Sequence, residues 1–213
     1  MVMKKNCCIL FLFCVSTGLV FSQAIETVNL PEPQKTGGMP LMEALNHRQS
    51  SREYTNREPD LQTISNLLWA AFGVNREDGK RTAPSARDWR EFDIYVVKAD
   101  GWYVYEAEKN VLLKMSNEDA RKYAGRQDFV HTAPLTLIYV ADYDRMEGAS
   151  DEIRDFYAAT DVGFISQNVY LFCASEGIGT CVLGQVDRDK MREVFRLRPN
   201  QRVVLSQTLG YPK

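Results

Sequence analysis

The chain has 213 residues, of which 45% are hydrophobic and 25% charged. That is enough apolar surface for a packed core and too little charge for wholesale disorder. Lysine plus arginine number 26 against 28 aspartates and glutamates, a net charge of −2, which excludes broad electrostatic binding of nucleic acid, since that needs a basic face. No run of about 18 apolar residues is present, so no stretch is long enough to span a bilayer as a helix.

Residues 1–24 have the pattern of an export leader. Lys4 and Lys5 form a positive start, Cys7 to Val15 is an unbroken apolar run, and Ser22 and Ala24 are small residues suited to cleavage. The alternative is an anchoring or buried N-terminal helix, for which the run is short. A lipid-attachment site is excluded by the bulky Phe13 before Cys14. The leader predicts an exported, periplasmic or secreted protein with no membrane association once it is removed. The mature chain then keeps only Cys173 and Cys181. Two cysteines in an exported chain can pair, but their predicted positions, on a helix and on the strand after it, favour free thiols. With only His47 and His131 besides, no zinc-type spacing exists.

Residues 25–39, with Pro31, Pro33 and Gly37-Gly38, are expected to be a linker or extended arm, and residues 40–213 one domain. Pro40 to Arg48 predicts a short helix. Asp60 to Phe72 predicts a second, with Leu61, Ile64, Leu68 and Ala71 at helical spacing, an acidic N-cap and Gly73 at its end. Phe92–Val97, Trp102–Glu106 and Val111–Met115 predict strands, the first two joined at Asp100-Gly101. Ser116 to Gly125 predicts a polar helix, and Leu135 to Ala141 a strand buried on both faces. His131 is expected in a loop or as a half-buried structural residue. Asp151 to Glu176 is a long helix with apolar residues in several directions, suited to a central position or a subunit interface. Thr180–Leu183, Asp187–Arg196 and Arg202–Leu209 complete the pattern as strand, helix and strand. The whole predicts one α+β domain with mixed strand order.

Four polar clusters stand at element boundaries. Arg48-Gln49-Ser50-Ser51-Arg52 places two guanidinium groups four positions apart with hydroxyls between, a pattern that can clamp a phosphate or another anion and can equally be a solvated turn. Thr82 to Arg90 combines Pro84 and small residues, which allow close approach of a flat ligand, with polar side chains. Gly177 to Gly184 turns a helix into a strand whose terminal glycine can present a backbone N–H. The fourth cluster is Leu209 to Lys213. Phosphate-binding P-loops, dinucleotide-binding glycine motifs and hydrolase nucleophile–base pairs are missing.

In this order, from Leu41 to Lys213, the clusters resemble the nitroreductase family of FMN-dependent oxidoreductases. Arg48, Ser50 and Arg52 resemble its opening arginine–serine–arginine element, and Pro84-Ser85-Ala86 its proline–serine loop. Gln167-Asn168, Gly177-Ile178-Gly179 and Gly184 resemble its helix and glycine-ended strand, and Leu209 to Pro212 its ending. Pro84 to Val97, Trp102 to Tyr105 and Val111-Leu112 further resemble the thiazole/oxazole-forming (SagB-type) dehydrogenase branch. Asp88 and Arg90 depart from the asparagine and glutamine usual in the family.

The resemblance implies a three-layer α-β-α fold with a mixed central sheet and an FMN site at a homodimer interface. It implies that Arg48, Gln49 and Ser50, helped by Lys213, hold the phosphate, and that Arg52 faces the N1/C2 end of the ring. Pro84, Ser85, Ala86 and Asp88 would line the ring, and the backbone at Leu183 and Gly184 would meet N5. It further implies a ping-pong cycle between a small-molecule electron donor, usually NAD(P)H, and an acceptor, with no acid or base side chain needed and no metal. A non-catalytic flavin-binding or interaction protein on the same fold is the alternative.

Overall fold

The computed structural model describes residues 26–213; the expected leader lies outside the described residues. In chain order the elements are β1 (Thr27–Asn29), α1 (Leu41–His47), α2 (Leu61–Phe72), β2 (Phe92–Lys98), β3 (Gly101–Glu106) and β4 (Val111–Ser116). They continue with α3 (Asp128–Thr132), β5 (Leu135–Asp142), α4 (Asp151–Ser175), β6 (Gly179–Leu183), α5 (Arg188–Val194) and β7 (Gln201–Gly210).

The seven strands form one sheet in the order β1-β4-β3-β2-β5-β7-β6. Every neighbouring pair is antiparallel, where a mixed sheet was expected. The reason is the position of β7. The crossover from β5 through α4 to β6 returns the chain in a parallel sense, but β7 lies between the two strands and pairs antiparallel with both.

Alternation along the strands separates two cores. Leu135, Leu137, Tyr139 and Ala141 of β5, with Ile94 and Val96 of β2, face the layer of α2 and α4. Ile138 and Val140, with Tyr95 and Val97, face the opposite layer, where Ala124, Val130 and Met191 close the second core. All eight residues of β5 are buried, as its continuous apolar run predicts. The result is helices on both faces of a central sheet, the expected α+β three-layer arrangement.

Local chemistry sets the element ends. The Asp60 carboxylate accepts the Thr63 N–H at 2.8 Å and caps α2. Ala99-Asp100 turns β2 into β3, and Gly101 (φ 139°) is required there because a Cβ would lie 2.1 Å from the Ser116 carbonyl oxygen.

Two local expectations fail, the Ser116–Gly125 helix and the loop or half-buried placement of His131. Ser116 to Gly125 is not a helix: Ser116 ends β4, and Asp119 turns back to Arg121 in a paired contact at 2.9 and 2.7 Å, leaving one 3-10 turn over Arg121–Tyr123. The short helix comes later, as α3, and His131 lies exposed on its last turn. Within the extended segment before Pro40, Thr27–Asn29 adds an edge strand to β4.

Candidate functional site

After α1 the chain runs extended along the start of β6. The Ser51 N–H donates to the Thr180 carbonyl at 2.9 Å. Tyr54 donates its hydroxyl to the Ser51 carbonyl at 2.5 Å and bonds with the Thr208 hydroxyl at 2.9 Å; burial pushes this phenol well above its usual range. Gly179 permits the close pass, since a Cβ there would lie 2.9 Å from Ser51 and 3.2 Å from the Tyr54 ring. The C-terminus closes the other side. Tyr54 pairs with Pro212, and the Thr55 N–H donates to the Tyr211 carbonyl at 2.8 Å.

The first cluster is therefore fixed on β6. Tyr170 of α4 is the junction: its hydroxyl bonds with Ser50 Oγ at 2.8 Å and accepts the Val182 N–H at 3.0 Å, while the Arg48 guanidinium lies 5.3 Å from the centre of its ring. Gln49, Ser50 and Arg52 are exposed and Arg48 is half-buried. Neither arginine has a carboxylate partner among the described residues. A cavity of about 260 Å³ opens beside the cluster, bounded by Gln49, Ser51, Tyr170, Gly179 and Pro212 but not by Arg48, Ser50 or Arg52; Lys213 is next in the chain after Pro212. Two cations without carboxylate partners, beside the Ser50 and Ser51 hydroxyls, suit a dianionic phosphate.

The end of β6 adjoins this cluster through Val182. Leu183 turns its side chain into the second core, so only its backbone can face a ligand. Gly184 is exposed, and a Cβ on it would meet nothing nearer than Leu205 at 3.8 Å. The space in front of it is open to a flat ring.

The Pro84–Asp88 loop lies elsewhere. The Ala86 N–H donates to Asp161 of α4 at 2.8 Å. Asp161 and Tyr170 are nine residues apart on one helix, about 13.5 Å along its axis, so the loop and the arginine cluster dock on different stretches of α4 within one chain. Within the loop, Arg87, Asp88 and Arg90 have left-handed backbone (φ 51°, 56° and 48°), an uncommon conformation for side-chain-bearing residues. The Asp88 carboxylate is taken up by Arg90 at 3.2 Å. Trp89 packs edge-on against Tyr157 of α4.

Under the loop sit two acids that the sequence reading did not single out. Ser85 Oγ donates to Glu91 at 2.9 Å and accepts the Arg90 N–H at 2.8 Å. Glu91 is completely buried and Asp161 nearly so. Burial, with Asp161 beside it, pushes the Glu91 carboxyl up to about 7, and burial also raises Asp161. Asp161 was legible as a carboxylate on the face of α4 that carries Ala158, Val162 and Ile165. Tyr170 and Tyr54 carried no such signal, because a tyrosine among apolar neighbours reads as core.

No group of three or more metal-ligating side chains is found among the described residues. Cys173 and Cys181 are free and buried.

The model of the nitroreductase family matches residues 45–211. A candidate nitroreductase of Methanocaldococcus jannaschii is 31% identical over 181 residues, covering 80% of this chain and 90% of that protein. An NADPH-flavin oxidoreductase of Vibrio harveyi is 28% identical over 99 residues, 43% of this chain and 41% of that protein. Among solved structures, a candidate nitroreductase of Ralstonia eutropha superposes with a TM-score of 0.84 at 40% identity, covering 88% of this chain and 90% of that one.

Proposed function

The chain belongs to the nitroreductase family, and from that premise we propose that it is an FMN-dependent oxidoreductase. In this reading it works as a homodimer and transfers hydride or electrons from a small-molecule donor to a small-molecule acceptor in a ping-pong cycle. The observation that carries it is the attachment of the Arg48–Arg52 segment to the glycine-ended strand β6, through Ser51–Thr180 and Ser50–Tyr170–Val182. The flavin oxidoreductase named among the relatives supports the same cofactor class.

The residues fit FMN as follows. Arg48 and Ser50, beside Gln49 and Lys213, hold the phosphate, and Arg52 places a cation toward the end of the ring that gathers charge on reduction. The open backbone at Gly184, after Leu183, is the donor edge. When bound, FMN supplies the hydride and electron chemistry; the chain binds, orients and excludes water. Pro84, Ser85, Ala86 and Asp88 come from the second copy. That assignment follows from their separation from Arg48 within one protomer and from the exposed apolar face of α1 and α4. Leu41, Met42 and Leu45 on α1, and Ile153, Phe156 and Phe164 on α4, are large hydrophobic residues left to solvent, and such patches mark association surfaces.

The finer likeness to the SagB-type branch rests on the Pro84–Val97 segment and on Tyr103 and Tyr105, which the fold buries in the first core. A second reading, flavin binding without turnover, is favoured by one observation: Asp88 is engaged by Arg90 and holds only acceptor oxygens. Export is inferred from residues 1–24 alone, and it bears on the donor, since nicotinamide cofactors are chiefly cytosolic.

The purified protein is expected to be yellow and to bleach under anaerobic NADH or NADPH. Colour that no donor bleaches would leave the binding reading. A colourless protein with no affinity for FMN would contradict both.

A further inference from the structure

The acid pair beneath the Pro84–Asp88 loop is not needed to hold a flavin, yet it is built into the loop at three points. Glu91 accepts from Ser85, Asp161 accepts from the Ala86 amide, and Ser85 accepts from the Arg90 amide. The second Glu91 oxygen, Oε1, is buried and meets no donor among the described residues. A buried carboxylate oxygen without a donor is costly, and two adjacent buried carboxylates cannot both ionise cheaply. One proton held between the pair removes both penalties.

Among the described residues no cation stands in for that proton. Of the loop's charged groups, Arg87 lies over the Trp89 ring, and Arg90 is taken by Asp88 and the Gly79 carbonyl. From β2, Asp93 is bonded by Arg145. At the end of β5, Asp142 is held by Arg145 and Arg198 and offers Glu91 only its backbone N–H, which donates to the Glu91 carbonyl. From α4, Tyr157 packs on Trp89. No ion pair of Glu91 or Asp161 occurs among the described residues.

We propose that Glu91 and Asp161 share a single proton that clamps the Pro84–Ala86 turn against α4, making them positioning residues that set the loop's shape and, through it, flavin retention. The left-handed backbone at Arg87, Asp88 and Arg90 gives the clamp something to hold. When the proton leaves to solvent, the two buried carboxylates repel, and the turn that bonds to both of them through Ser85 and Ala86 loosens. The sign follows from the folded state binding this proton more tightly than the unfolded chain. The clamp is fully present at acid pH, and its contribution is lost as pH rises through about 7.

The loop part of this stands without any cofactor; only its consequence for flavin rests on the function proposed above. Hydrogen exchange of residues 82–92, corrected for the intrinsic pH dependence of exchange, should show protection falling about tenfold or more between pH 6 and pH 8.5. Glu91→Gln keeps a neutral donor toward Asp161 and an acceptor for Ser85, and should give a flat profile. An infrared pH titration of the unmodified protein should show a protonated buried carboxyl disappearing near neutral pH, independent of whether the variant folds. FMN release should accelerate over the same interval. A flat wild-type profile, an unchanged slope in Glu91→Gln, or no carboxyl titrating near neutral pH would overturn the clamp. A colourless protein with a pH-dependent loop would support the clamp and overturn the flavin reading.

Discussion

Phe164→Asp is expected to turn the protein into a monomer that holds almost no flavin while remaining folded. Phe164 is 45% exposed on α4 and outside both cores, and Phe156, two turns earlier, is 61% exposed. A charge at 164 therefore costs the isolated fold little, within about 1 kcal/mol for a surface helix position. Between two copies the same charge would be buried without a partner, a cost of several kcal/mol. If the Pro84 loop reaches the Arg48 cluster only from the second copy, splitting the pair removes half of each site. Sedimentation and flavin absorbance measured together check this. A variant that stays dimeric and fully yellow would show that α4 is not the interface, and a yellow monomer would show that one copy suffices.

Arg48→Ala is expected to weaken FMN binding by about 1.5–3 kcal/mol, the worth of a charge-assisted bond, or roughly 10- to 150-fold in Kd. The fold should hardly respond, because among the described residues Arg48 forms no ion pair and its side chain lies over the Tyr170 ring. Fluorescence titration of the apoprotein gives the affinity, and thermal unfolding the control. Unchanged affinity would remove Arg48 from the phosphate site. A large fall in melting temperature would make its contact with Tyr170 structural.

Several parts of the molecule could be read directly from neighbouring residues. Asp60 caps α2 because its carboxylate reaches a residue three positions on. Asp100-Gly101 turns because only glycine avoids the Ser116 carbonyl. β5 is buried on both faces because nothing polar but Thr136 and the terminal Asp142 interrupts it. What escaped is decided over long separations. The antiparallel sheet depends on β7 inserting between two strands that precede it. The Ser116–Gly125 segment has helix-starting residues, but the Asp119–Arg121 contact and the Arg121 bond to the Ala133 carbonyl hold it in a tight turn.

The candidate site divides the same way. Arg48, Ser50 and Gly184 could be singled out as candidates because charged, hydroxyl and glycine residues stand at element ends. The junction of Arg48 and Ser50 with Val182 at Tyr170, and the burial of Glu91 and Asp161, 70 positions apart, under one turn, could not be seen from local pattern. The separation of Arg48 from the Pro84 loop along α4 was equally hidden, and it is what the proposal of a second copy rests on.

The most direct test is complementation between two defective chains. Arg48→Ala combined with Arg52→Ala removes the arginine half, the cations assigned to the phosphate and to the ring end, and Ala86→Phe fills the loop half while keeping the backbone N–H that Asp161 accepts. Each variant alone should bind no FMN. Mixed dimers purified through two tags contain one site with both defects and one with neither, and should bind one FMN per dimer with the affinity of the unmodified protein. Mixed dimers that bind none would contradict a site shared between two copies.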